Sequence, residues 1–293
     1  MKMKKILSAV LLVSLLFVVG CGNNNNEGPS RTDRDTVQIV YVEWVCATAS
    51  AHVIANVLEE KMGYDVELIP VAAALVFESL AHGHADFTTN VWLPVTHADY
   101  MERLGDRLDL VQVNTHGARI GLAVPDYVQV YSIADLNTIR DELGGEIIGI
   151  DPGAGIMRIT EEAINAYNLD LLLLESSDAA MTAFLSAAID RQDPVVITGW
   201  EPHWKFSTWN MRFLDDPLGI FGGEEEIATV ARVGLSEDMP GVYELLQNFR
   251  WSIDQLNEAI LMAEESGNSA RSAADWVANN SDLVNSWLPA AYR

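Results

Sequence analysis

Three tryptophans stand at the ends of stretches that read as β-strands: Trp44 after 37–42, Trp92 after 87–91 and Trp200 after 194–198. Large aromatics carried from strand ends into one cleft can box a quaternary ammonium and hold it by cation–π attraction, where an ordinary salt bridge is not available. Ligands of open α/β sheets bind outside the carboxyl ends of the strands, which is where these residues fall. Trp209, Trp251, Trp276 and Trp287 carry no such placement and are read as packing or lobe contacts.

An anion could be met at two strand-to-helix junctions. The segment Asp151-Pro152-Gly153-Ala154-Gly155-Ile156 would expose backbone N–H groups at a helix start, unless its glycines only shape a tight turn. Cys46-Ala47-Thr48, just after Trp44, is a second junction with exposed donors. Catalytic templates fail: the chain has no Gly-x-Ser-x-Gly elbow, no P-loop and no His-Glu-x-x-His. His82-Gly83-His84 with Asp86 has the look of a metal set but reads better as a polar turn. The scattered histidines and Cys46 form no nucleophile–base pair. No metal and no cofactor is expected, and an enzyme is the minority reading.

The elements that must position these residues alternate. Strand signals at 37–42, 64–69 and 87–91 enclose helical stripes at 53–62, stopped by Gly63, and at 75–81. A second cycle runs through strands at 120–124, 147–150, 171–174 and 194–198 and helices at 156–167 and 179–189. Two β-α-β sets imply two α/β lobes, each with a largely parallel sheet, and place two of the tryptophans in one lobe and Trp200 in the other. Residues 205–225 read as irregular, and helices dominate from Val242, with a capping box at Ser252 to Gln255. That helical section is expected to return to the first lobe. The division is lobe I at 36–117 plus 218–293 and lobe II at 118–217.

Composition narrows the partners. A formal charge of −24 excludes nucleic acid, whose phosphates need a basic face, and suits a strongly hydrated surface. Residues 1–20 combine Lys2, Lys4 and Lys5 with an apolar run from Ile6, as in a signal peptide. Val18-Val19-Gly20-Cys21 resembles a bacterial lipobox, so Cys21 is the expected lipidation site. Residues 21–35, with Asn23 to Asn26, read as a disordered tether to the membrane surface. The only other cysteine is Cys46, which precludes an intramolecular disulfide in the mature chain.

Together the local motifs resemble the substrate-binding proteins of glycine betaine/choline ABC importers. The matching stretches are Tyr41-Val42-Glu43-Trp44, Gly63-Tyr64-Asp65-Val66-Glu67, Val91-Trp92-Leu93-Pro94, the run from Gly117 to Pro125, the run from Gly149 to Gly155, and Gly199-Trp200-Glu201-Pro202-His203-Trp204. The resemblance implies a two-lobed, type II periplasmic-binding-protein fold with the ligand in the interlobe cleft. It also implies a small quaternary-ammonium ligand, delivery to the transmembrane subunits of an ABC permease, and a monomer held outside the cytoplasm by its lipid anchor. Trp44, Trp92 and Trp200 would form the cage. By alignment, the amides of Ala47 and Thr48 would receive a carboxylate. The sequence departs from the family at Cys46, where choline-binding relatives carry an acidic residue, which favours glycine betaine, or a relative such as carnitine or proline betaine, over choline. It departs again at Ala228, where relatives often carry a histidine, leaving His203 as the substitute ligand contact or as an interlobe donor. Ile120 stands where some members place a tyrosine.

Overall fold

In the computed structural model, which describes residues 36–293, the first apolar run forms β1 (Thr36–Tyr41). The chain continues through α1 (Val45–Val57), which widens into a π-helical turn at Leu58–Met62. Gly63 ends that turn in the left-handed region at φ 76°, which a residue without Cβ adopts at little cost. Next come β2 (Asp65–Pro70), α2 (Ala73–Ala81), β3 (Phe87–Leu93), α3 (Ala98–Leu104) and the long β4 (Leu108–Pro125). The second cycle is β5 (Glu146–Ile148), α4 (Gly155–Ala166), β6 (Leu172–Leu174), α5 (Asp178–Arg191), β7 (Ile197–Glu201), α6 (Trp204–Thr208), β8 (Met211–Phe213) and β9 (Glu225–Arg232). Helices α7 (Leu235–Asp238), α8 (Pro240–Asn248), α9 (Ile253–Ser266), α10 (Ser269–Asn279) and α11 (Ser281–Trp287) complete the chain.

The strands lie in the order β2-β1-β3-β9-β4-β7-β5-β6, with β8 added to β4. β4 belongs to both halves: residues 108–118 pair with β9 and residues 119–123 with β7. The outer strands pair in parallel, as expected, whereas β3–β9, β9–β4 and β4–β7 are antiparallel, so each half is a mixed sheet. β8, β9 and the first part of β4 were not legible as strands. Register shifts at Leu110/Gln112, Val113/Thr115 and Thr115/Ala118 break the alternation that a strand signal needs. The signal peptide, Cys21 and the tether fall on residues 1–35, outside the described residues.

The C-terminal helices do return: α9 and α10 pack on α1. Their core is aromatic. Trp276 and Trp287 stack at 6.1 Å, and Trp251 meets Trp276 edge-on at 5.5 Å. Each indole N–H has an acceptor, in Glu258, the Arg250 carbonyl and Thr115 respectively for Trp276, Trp287 and Trp251, so burial costs no hydrogen bond. The Ser252–Gln255 capping box is present in both directions. Trp276→Ala is expected to destabilise the protein by about 3–5 kcal/mol in urea unfolding, since a fully buried indole leaves a cavity; a loss below about 1 kcal/mol would contradict this packing.

Candidate functional site

Trp44, Trp92 and Trp200 line one cavity, of about 30 Å³, between the two halves of the sheet. Each arrives by a different local device. Trp44 is the N-cap residue of α1, in extended backbone, and its indole N–H donates to Asp151 at 3.1 Å. Trp92 lies near the end of β3, and its indole N–H donates to Asn90 at 3.0 Å. Trp200 lies on β7, paired with Ile120, which lines the cavity as an aliphatic wall. The strands of Trp92 and Trp200 run out at Pro94 and Pro202, residues that cannot continue a ladder. All three indoles are more than nine-tenths buried, which strengthens any cation–π contact they make.

Two further wall residues were not singled out from sequence. His97 stacks on Trp44 with centroids 6.0 Å apart and planes 8° apart. Its Nδ1 accepts the Trp92 backbone N–H at 2.9 Å, and burial pushes the imidazole down to about 3, so the ring is neutral. The proton therefore sits on Nε2, which has no hydrogen-bond partner. Thr96 is the second. Glu225 on β9 gathers the loop by accepting from the amides of Val95 (2.9 Å) and Thr96 (2.8 Å) and from the Thr96 hydroxyl. The only forward signal for either was a polar Thr96-His97 pair immediately after a cage tryptophan.

The two anion candidates differ. At α1, the Val45 amide is taken by Asp178 at 3.3 Å and the Thr48 amide donates to the Trp44 carbonyl at 2.8 Å, while the Cys46 amide meets no acceptor among the described residues. Thr48 is thus an interior helical residue, which corrects the expectation of an exposed donor there. Ala47 faces a neighbouring small cavity with Phe77 and Val91. Cys46 does line the main cavity; burial, helped by Asp178, pushes its thiol up to about 12, so it is a neutral group donating to Asn90 at 3.6 Å.

At α4 the arrangement differs. Ala154 and Met157 amides are bonded within the turn, to the carbonyls of Asp151 and Ala154, whereas those of Gly155 and Ile156 have no partner among the described residues. Both residues line the cavity. These are the first amides of a 12-residue helix, so unmet donors and the positive end of the dipole coincide. Only glycine fits at 155, because a Cβ would collide with the Thr96 carbonyl across the cavity.

His203 does not line the cavity. Its Nε2–H donates to Asp178 at 3.0 Å and its Nδ1 caps α6 by accepting the Lys205 amide at 3.1 Å. Burial, reinforced by Lys205, pushes the imidazole down to about 4, so it is neutral. Burial alone would raise the Asp178 carboxyl, but His203, Lys205 and the Val45 amide together bring it below the ordinary range. His203 therefore acts on the site through Asp178, which in turn satisfies the start of α1. Ala228 is buried on β9 between Val91 and Val113 and is not among the residues that line the cavity. Of the metal-like set, Asp86 is committed to Arg232 at 2.8 Å and to the Gln38 amide, while His82 is exposed.

Contacts across the cleft hold it shut: Trp44 to Asp151, Val45 to Asp178, Tyr100 to the Gly153 carbonyl at 2.8 Å, and Arg158 to Asp99 at 2.8 Å. About 30 Å³ accommodates one or two waters, so anything larger enters only as the walls part.

A fold of two α/β halves with an aromatic cavity at their junction is that of a solute receptor. The chain belongs to the family of substrate-binding domains of ABC-type glycine betaine transport systems, whose model matches residues 35–279. It is a transport substrate-binding protein with the two-lobed periplasmic-binding-protein fold. It is 41% identical over 152 residues to the glycine betaine/carnitine transport binding protein GbuC of Listeria monocytogenes serotype 1/2a (strain 10403S), a match covering 51% of this chain and 51% of that protein, so about half of the relative's length is spanned. It superposes on the glycine/betaine/L-proline-binding protein (ProX) of Borrelia burgdorferi with a TM-score of 0.84 and 35% identity, over 88% of this chain and 98% of that one. Lactococcal OpuAC, in its closed-liganded conformation complexed with glycine betaine, gives 0.83 and 34%, over 87% and 99%.

Gly155→Ala is expected to weaken ligand binding by more than roughly tenfold while leaving the far-UV circular dichroism intact, because the collision with Thr96 arises only when the cleft is shut. Unchanged affinity would show that closure does not bring these two backbones together.

Proposed function

We propose that the protein captures glycine betaine, or a closely related betaine such as carnitine or proline betaine, outside the cytoplasm and delivers it to the transmembrane subunits of an ABC permease. The observation that carries this is one cavity bounded by three buried indoles and by two unpartnered amides at a helix start. The indole faces suit a trimethylammonium head, which has no proton to give, and the Gly155 and Ile156 amides suit a carboxylate. The Nε2–H of His97 is a third donor on the same wall. A zwitterion of betaine length is the ligand with both ends. The familial substrates of GbuC and OpuAC support the same chemistry.

The proposal includes anchoring through a lipidated Cys21 after removal of residues 1–20, with 21–35 as the tether, and action as a monomer. Among the described residues no helix is long and apolar enough to cross a membrane. It also takes 36–117 plus 218–293 as lobe I and 118–217 as lobe II, with hinge motion admitting the ligand.

Titration calorimetry tests this directly. Trp92→Ala and Trp200→Ala should each lower glycine betaine affinity by more than roughly tenfold, given about 2 kcal/mol per desolvated cation–π face. Wild-type protein should prefer glycine betaine to choline. Unchanged affinity in both variants would remove the cage, a preference for choline would remove the carboxylate subsite, and turnover of bound ligand would point to an enzyme.

A further inference from the structure

Lys205 lies on α6 with no exposure to solvent, and its Nζ has no hydrogen-bond partner. The ammonium sits 3.7 Å from the centroid of the Trp200 ring and 5.6 Å from that of Phe206. Lys205 does not itself line the cavity that Trp200 lines. A buried amine without a partner is costly, and nothing in the fold of α6 requires one at this position. What it does meet is charge. Asp178 on α5, Glu201 on β7 and the Cys46 thiol on α1 act on it electrostatically, and the His203 ring accepts its backbone amide. Glu201 is already bonded to Arg119 at 2.8 Å, the Cys46 thiol is protonated and His203 is neutral. The buried balance beside the cage is therefore Asp178 against Lys205.

We propose that Lys205 sets the preference of the site between zwitterionic and purely cationic quaternary ammonium ligands, by cancelling the Asp178 charge and holding an ammonium against Trp200. The inference rests on the quaternary-ammonium reading of the cage. With Lys205 charged, the surroundings are neutral and a second cation in the cage would share the Trp200 ring with it, competing for its electron density. A ligand that brings its own carboxylate largely escapes that repulsion. A bare cation such as choline does not. With Lys205 neutral, Asp178 is uncompensated and the site favours a cation.

Burial pushes the Lys205 amine down to about 7, opposed by Asp178, Cys46 and Glu201. His97 and His203 titrate well below neutrality and Cys46 well above it, so between about pH 6 and about pH 8.5 none of these three changes charge. Lys205 is a cation at the lower limit and mostly neutral at the upper one.

The experiment is titration calorimetry of the full chain with glycine betaine and with choline across that range, on wild type and on Lys205→Met, an apolar replacement of similar length. Wild type should bind choline at least tenfold more tightly at the upper pH, with glycine betaine moving less than about threefold. In Lys205→Met both ligands should lose this pH dependence, and the betaine-to-choline affinity ratio at the lower pH should fall at least tenfold. An unchanged ratio in the variant, or a wild-type ratio that does not move with pH, overturns the proposal. The wild-type profile decides it even if the variant fails to fold. Binding of neither ligand by wild type would instead overturn the cage reading on which the proposal depends.

Discussion

Cation–π attraction is worth little at a wet surface and much more once water is excluded, so a cage of indoles functions only where the protein can shut around it. That requirement governs the rest of the architecture. One wall comes from the β1–α1 and β3 side of the molecule and one from β7, so the three indoles meet only where both sides come together. The cleft closes because Gly155 lets the start of α4 reach the Thr96 carbonyl, and because Glu225 fixes the loop that carries Thr96. Closure also brings the unpartnered amides of α4 to the same space as the indoles. The neutral His97 ring, stacked on Trp44, extends the wall without adding charge.

Two helix starts approach the cavity, and they are not equivalent. At the α1 start the first amide, that of Val45, is met by the protein's own carboxylate, Asp178, itself held by His203. At the α4 start the Gly155 and Ile156 amides both stay open among the described residues. Two adjacent open donors at an aromatic cavity make a place for a ligand's anion.

That Trp44, Trp92 and Trp200 meet at one cavity was legible in the sequence because they are few, distinctive residues at strand ends, and the alternation of strands and helices separated Trp200 from the other two. The helices with clear stripes and caps, such as α9 with its Ser252–Gln255 box, were legible for the same local reason. What failed to show was whatever depends on long-range pairing. β9 and the first part of β4 are interrupted by register shifts, so their alternation is scrambled along the chain although it is regular across the sheet. The Thr48 amide reads as an exposed donor because no linear signal shows that α1 begins at Val45, early enough for that amide to be spent on the Trp44 carbonyl, with Asp178, more than a hundred residues on, taking the Val45 amide. His203 looked like a ligand contact by proximity to Trp200, but its two nitrogens are spent on Asp178 and on capping α6.

The central claim is that one closed cavity reads both ends of a zwitterion, with the indoles of Trp44, Trp92 and Trp200 on the cation and the amides of Gly155 and Ile156 on the anion. A crystal structure of the protein with glycine betaine tests it most directly. The account predicts the trimethylammonium group within about 6 Å of all three ring centroids and a carboxylate oxygen about 2.7–3.2 Å from at least one of the two α4 amides. A carboxylate lodged at the start of α1, or a head group outside the three rings, would contradict it.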